Sequence, residues 1–196
     1  MGLLSNLTLL LAATSAVVAD TAATPAVPKI SSITFSGSGC VKDPKFSGTF
    51  NDPTLTFSNF AAALPGKNQT THCQAHIQAS NGSKGWQFAL KSNTVRGHVV
   101  LQPGTSLTRY TTIFFSQNPT ATGSFKDTIT NDGNKTINRA VVLTGDSDSR
   151  TVWSPCIGSD GYTGILNVNL RAVLSGDAKA YFEANSEEWD VEWRKC

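Results

Sequence analysis

The sequence predicts an all-β fold: two antiparallel sheets packed as a sandwich or jelly roll and stapled by disulfides. Three observations carry this. Hydrophobic alternation with period two recurs along the chain, turn signals separate the alternating runs, and four cysteines follow an export-like leader.

The clearest strand is 72–79, where Cys73, Ala75, Ile77 and Ala79 fall on one face and His72, Gln74, His76 and Gln78 on the other. Leu166, Val168, Leu170, Ala172 and Leu174 alternate with Asn167, Asn169, Arg171 and Val173, and Trp189, Val191 and Trp193 with Glu188, Asp190, Glu192 and Arg194. Further strands are expected at 30–35, 55–60, 86–90, 95–101, 107–115, 124–130 and 140–144. Pro65-Gly66, Asn81-Gly82, Pro103-Gly104, Asn131-Asp132-Gly133, Ser159-Asp160-Gly161 and Ser175-Gly176-Asp177 mark the turns. The stretch from Asp177 to Asn185 reads as a short helix. About ten short strands without a long helix require two packed sheets, because one open sheet would leave an apolar face wet.

Of 196 residues, the first 19 read as a signal peptide: Leu9-Leu10-Leu11-Ala12-Ala13 is the apolar run, and Val17-Val18-Ala19 suits cleavage before Asp20. A Thr/Ala/Pro-rich spacer follows over 20–29, and 30–196 reads as one domain with neither linker nor repeat. Charged residues make up 15% of the chain, whereas Ser and Thr together fill 43 positions. This argues against a disordered polyampholyte or a coiled coil. A net charge of +2 is too small a field for phosphate neutralisation to drive nucleic-acid binding. No later stretch reaches the roughly 18 apolar residues of a spanning helix, so an extracellular chain without a membrane span is expected.

Cys40, Cys73, Cys156 and Cys196 read as two disulfides, because a four-thiolate metal site wants close cysteine pairs. Of the three possible connectivities, a strand-end argument favours Cys40 with Cys196 and Cys73 with Cys156, if the terminal strands lie side by side and parallel. Asn68, Asn81 and Asn134 each begin a glycosylation sequon in a loop-like stretch.

Several blocks together form a specific pattern: Ile33-Thr34-Phe35-Ser36-Gly37-Ser38-Gly39-Cys40, Leu55-Thr56-Phe57, His72-Cys73-Gln74, Arg96-Gly97, Trp153-Ser154-Pro155-Cys156, Leu166-Asn167-Val168-Asn169 and Trp193-Arg194-Lys195-Cys196. In order and spacing the chain resembles the secreted domain-of-unknown-function family 4360 of filamentous fungi and some bacteria. The resemblance implies a small exported β domain with paired cysteines and carries over no catalytic residue.

No constellation in the sequence spells out a reaction. His72 and His76 lie about 13 Å apart at the strand rise, too far to share one ion on a straight strand, and His98 belongs to another strand. Glu188, Asp190 and Glu192 form a row with neighbours ~6.6 Å apart, a spacing that can serve glycoside hydrolysis but also suits a solvated face protecting a sheet edge. Asp146-Ser147-Asp148-Ser149 lacks the EF-hand spacing and reads as a polar loop. Ser36 and Ser38 lie in a Gly-rich turn that is neither a nucleophile elbow nor a phosphate loop; its glycines fit a tight backbone beside a disulfide. Trp86, Trp153, Trp189 and Trp193 could stack on sugar rings if exposed, but Trp86, Trp189 and Trp193 are in phase with apolar neighbours, which favours core packing.

No catalytic residue, metal ligand or cofactor is therefore assigned. The expected function is a secreted, non-enzymatic binding domain acting through a strand face or loops, with a cell-wall polysaccharide or an extracellular protein as partner. The alternative is an extracellular polysaccharide hydrolase using the strand carboxylates.

Overall fold

The computed structural model describes residues 24–147 and 151–196. The expected leader, the first residues of the spacer and Asp148-Ser149 of the acidic loop lie outside the described residues. The strands run β1 (Lys29–Ser36), β2 (Lys45–Ser47), β3 (Thr54–Leu64), β4 (Thr70–Ser80), β5 (Trp86–Leu101), β6 (Ser106–Phe115), β7 (Asn118–Thr130), β8 (Ile137–Leu143), β9 (Asp146–Ser147), β10 (Ile165–Ser175) and β11 (Ala180–Lys195). Among the described residues there is no helix.

The strands form a six-stranded sheet, β1-β4-β10-β6-β7-β9, and a five-stranded sheet, β2-β3-β11-β5-β8, with every pairing antiparallel. The two-sheet expectation holds, and so do the faces read for the clearest strands. Cys73, Ala75, Ile77 and Ala79 of β4 and Leu166, Val168, Leu170, Ala172 and Leu174 of β10 are buried in the shared core. Around them Phe88 packs edge-on against Phe50 and Phe115, with ring centroids 4.8 and 5.3 Å apart. Aromatic pairs in this geometry add about 0.5–1.5 kcal/mol each beyond their buried area.

Three expectations are corrected. The helix over 177–185 is absent: from Ala180 onward the chain is the first half of β11, the central strand of its sheet, bonded to β3 and β5 at once. Its alternation is masked by a bulge between Ala184 and Ser186, where exposed Asn185 shifts the inward phase from Phe182 and Ala184 to Glu187 and Trp189. The segments 86–90 and 95–101 are one continuous strand, β5. The disulfides join Cys40 to Cys73 and Cys156 to Cys196, not the pairs that the strand-end argument favours. That argument required β1 and β11 to be neighbours, but they belong to different sheets. Instead, β1 ends opposite Gln74 of β4, which brings Cys40 to Cys73. At the other end of the sandwich β11 finishes beside Trp86, and Cys156 lies in a segment that bonds to the same start of β5.

The turn into the first disulfide explains its glycines. Gly39 donates its N–H to the His72 carbonyl, and a Cβ there would sit 2.5 Å from the Phe60 ring. Gly37, at φ +132°, has no room for a side chain against the His72 carbonyl.

A polar cluster crosses the core. Arg109 of β6, with no exposed surface, donates from Nη1 to Asn93 Oδ1 of β5 at 2.7 Å and from Nη2 to the Leu143 carbonyl at 2.8 Å. Nη2 also lies 2.6 Å from Asp127 Oδ2 of β7. Asn93 and Thr111 both donate to Glu187 Oε1 of β11, at 2.8 and 3.2 Å. Burial raises the pKa of Glu187, against the opposing effect of its hydrogen bonds from Asn93 and Thr111 and of the Arg109 charge. Burial likewise lowers the pKa of Arg109, while Asp127 and Glu187 favour its charged form. The cluster thus ties five strands, β5, β6, β7, β8 and β11, across the sandwich through groups that are buried except for the partly open Asp127 carboxylate.

Candidate functional site

At the end of the sandwich where β6 turns into β7 and β5 begins, a cleft of about 400 Å³ opens between the β6–β7 turn and the segment before β10. Trp153 forms one wall with Val152 and Pro155; Phe115 and the amides of Gln87, Gln117 and Asn118 complete it. No lining side chain is ionisable.

The wall is built from backbone upward. Residues 154–157 run beside the start of β5 like a short extra strand: Ser154 N–H donates to the Phe88 carbonyl and Ile157 N–H to the Trp86 carbonyl. The Ser154 hydroxyl accepts from Phe88 N–H, and the Cys156–Cys196 bond ties the segment to the end of β11. On the Trp153 ring lies the Arg194 guanidinium, 3.9 Å from the centroid. Arg194 Nε also donates to Gln87 Oε1 at 3.0 Å, and Gln87 Nε2 donates to the Ser154 carbonyl. Gln117 is fixed in the same way, accepting from Ile165 N–H and donating to the Tyr162 hydroxyl. An amide has two donor hydrogens and two acceptor lone pairs, so each held glutamine keeps capacity for a ligand. A half-buried indole between immobilised amides offers an apolar ring surface together with neutral hydrogen-bonding groups.

The remaining sequence candidates are dispersed. His72 and His76 lie on the outer face of β4, while His98 is on β5 in the other sheet, paired opposite Glu183 and Ala140, so the histidines do not converge. Among the described residues no group of three His, Cys, Asp or Glu side chains is placed to hold a metal ion. Glu188, Asp190 and Glu192 stand on the outer face of β11. Glu188 pairs with Arg96 at 3.2 Å and Asp190 accepts from the Ser92 hydroxyl. Because β11 is central, this row does not protect an edge. Ser38 contacts Thr71 through its hydroxyl beside the Cys40–Cys73 bond. Trp189 is buried and Trp193 packs on the core, donating from Nε1 to Asn51 Oδ1 at 3.0 Å. Trp86 stands outside the core, half-buried, with Lys195 Nζ 5.9 Å from its ring. Asn68, Asn81 and Asn134 are all exposed.

The sequence reading did not single out the three cleft amides, which lie outside its strands or carry no periodic signal. Arg109 and Glu187 were legible in principle, since each shares the inward phase of apolar neighbours.

Fold and cleft together define a disulfide-tied antiparallel β-sandwich with an uncharged, tryptophan-walled end cleft. The chain belongs to the family described as Domain of unknown function (DUF4360), whose model matches residues 26–196. No curated protein matches it. Among solved structures it is similar to TmCBM61 in complex with β-1,4-galactotriose, at 10% identity and a TM-score of 0.26, covering 85% of this chain and 90% of that one. It is also similar to the enzymatically active domain of bacteriophage CBA120 tailspike protein 4, at 13% identity and a TM-score of 0.20, covering 88% of this chain and 19% of that one. At these scores neither likeness bears on function.

Proposed function

We propose that this protein is an exported, non-catalytic domain that binds neutral polysaccharide, with the Trp153 cleft receiving one sugar ring. The observation that carries this is the cleft's composition: an indole wall, three amides and no ionisable side chain. A pyranose has an apolar face formed by its C–H groups and a rim of uncharged hydroxyls, and this lining complements both. The Arg194 guanidinium adjoins the cleft, but it is stacked on the Trp153 ring and bonded to Gln87.

Export is supported by the leader-like 1–19 segment and by two disulfides, which persist in oxidising compartments. The sequons agree with it. Asn68 and Asn134 lie in the β3–β4 and β7–β8 connections, at the end of the sandwich opposite the cleft, so glycans there would leave it open.

The test is retention of purified protein on insoluble neutral polysaccharides and on a glycan array, with Trp153→Ala alongside. Wild type is expected to bind a neutral glycan, and the variant to bind at least about tenfold more weakly, the equivalent of ~1.4 kcal/mol, with an unchanged melting temperature. Equal binding by the variant sinks the cleft assignment. Protein recovered from culture medium should begin near Asp20.

A further inference from the structure

Two irregularities meet on the outer face of the five-stranded sheet. Ala184 and Ser186 of β11 pair with Phe60 and Thr56 of β3, so Phe57, Ser58 and Asn59 stand opposite Asn185 alone. Both strands bulge at this level, and a recess of about 220 Å³ opens between them. Beyond β11, Gly97 of β5 admits the irregular backbone: a Cβ there would lie 2.1 Å from the Glu183 carbonyl oxygen. On the other side β2 pairs with β3 no further than Thr56, so no strand covers the edge beside Ser58 and Asn59.

The recess has a polar lining over an apolar floor. Phe57 and Phe60 are buried, whereas the side chains of Ser58, Asn59 and Asn185 are exposed and have no hydrogen-bond partner among the described residues. Glu183 is half-buried, and its Oε2 accepts from the Tyr181 hydroxyl at 2.8 Å. That bond, together with burial and the carboxylate's charge, raises the Tyr181 pKa, so the hydroxyl stays a donor at neutral pH. Oε1 is left without a partner among the described residues. No lysine or arginine lines the recess. His98 stands opposite Glu183 on β5, and Arg96, the cation of the next row, is taken by Glu188 at 3.2 Å. A half-buried carboxylate without a counter-cation carries a desolvation cost that a cationic ligand would offset.

We propose that this recess binds a sugar ring that carries a free ammonium group, the ammonium donating to Glu183 Oε1 and the ring hydroxyls meeting Ser58 and the amides of Asn59 and Asn185. This second site rests on the reading of the protein as a polysaccharide binder but uses none of the Trp153 cleft residues. Two observations choose the occupant. The unpaired negative charge selects a cation, and the unpartnered amides and hydroxyl around it complement a polyol more fully than a bare amine.

Titration calorimetry with hexamers of glucosamine, N-acetylglucosamine and lysine tests it, using wild type, Glu183→Gln, Glu192→Gln and Trp153→Ala. Acetylation removes the ligand's charge and keeps its ring. Glu183→Gln keeps an acceptor for the Tyr181 hydroxyl, Glu192→Gln removes an equal charge outside the recess, and circular dichroism checks that each variant is folded. Wild type is expected to bind the glucosamine hexamer at least about tenfold more tightly than the acetylated one. Glu183→Gln should abolish this preference, and Glu192→Gln and Trp153→Ala should keep it. A preference that survives Glu183→Gln, or that falls equally in Glu192→Gln, overturns the site. Equal affinity for the lysine hexamer overturns the sugar as occupant. If wild type retains neutral polysaccharide through Trp153 but shows no glucosamine preference, the recess falls and the cleft stands. A Glu183-dependent preference without neutral-polysaccharide retention supports the recess and removes the cleft. No binding of any ligand by folded wild type overturns both.

Discussion

Arg109 and Asp127 meet with Nη2 2.6 Å from Oδ2, the guanidinium fully buried and the carboxylate partly open to solvent. The pair therefore anchors an interior cation from a partly exposed position on the neighbouring strand, while the guanidinium also donates to Asn93 and the Leu143 carbonyl in the other sheet and to Thr111 on its own strand. Replacing Arg109 by Ala leaves the Leu143 carbonyl and Asn93 Oδ1 without this donor and removes a large buried side chain. We expect a loss of about 3–5 kcal/mol, measured by urea unfolding. A loss under about 1 kcal/mol would show that the pair contributes little.

Glu187 sets a pH dependence of the opposite sense to that of a salt-bridged surface carboxylate. Its folded pKa lies above the ordinary 4.5, so the folded state holds a proton that the unfolded chain releases. The Glu187 contribution is therefore fully present below about pH 4.5 and declines as pH rises from there through the folded pKa. Glu187→Gln keeps the oxygen that accepts from Asn93 and Thr111 and removes the titration. The variant is expected to be at least as stable as wild type at pH 7, and the difference to vanish or reverse near pH 4 in thermal melts. A difference that stays constant from pH 4 to 8 would contradict this.

The two disulfides should separate in their effects. Their sequence separations of 33 and 40 residues each correspond to about 4 kcal/mol in the chain-entropy account. Cys156→Ala/Cys196→Ala additionally frees the segment that presents Trp153, so it should weaken glycan retention under conditions where the β spectrum is intact. Cys40→Ala/Cys73→Ala should lower the melting temperature and spare retention by the folded fraction. Non-reducing peptide maps should contain Cys40–Cys73 and Cys156–Cys196 peptides.

Gly39→Ala tests the turn beside the first bridge. Its new methyl group would press on the Phe60 ring and meet Thr71 Oγ1 at 2.9 Å. A loss of about 1–3 kcal/mol is expected, the usual cost of overpacking. An unchanged melting temperature would mean that the ring yields freely.

How far these features could be read from sequence depended on whether they obey a period. The faces of β4 and β10 were legible because nothing interrupts their alternation. The first half of β11 was not, because Asn185 inserts one residue and shifts the phase; β3 hides the same shift between Phe57 and Phe60, both buried with two exposed residues between them. Strands as short as β2 and β9 offer no alternation to detect. Sheet order is a long-range property, and the disulfide expectation failed on that point alone. Trp153 stands in a segment without period, so its role as a cleft wall depends on Arg194 and Cys196, far along the chain.

The strand order also dictates when the protein can fold. β10 bridges β4 to β6, and β11 bridges β3 to β5, so the middle of each sheet is supplied by the last two strands synthesised. Until Ile165 and the residues after it emerge, four strands present open edges with no partner between them, the situation in which chains pair with one another instead. Early collapse of the amino-terminal half would be unproductive. A nascent chain of this topology is best kept extended until nearly complete, and a ribosome stalled before residue 165 would release an aggregation-prone fragment, not a smaller domain.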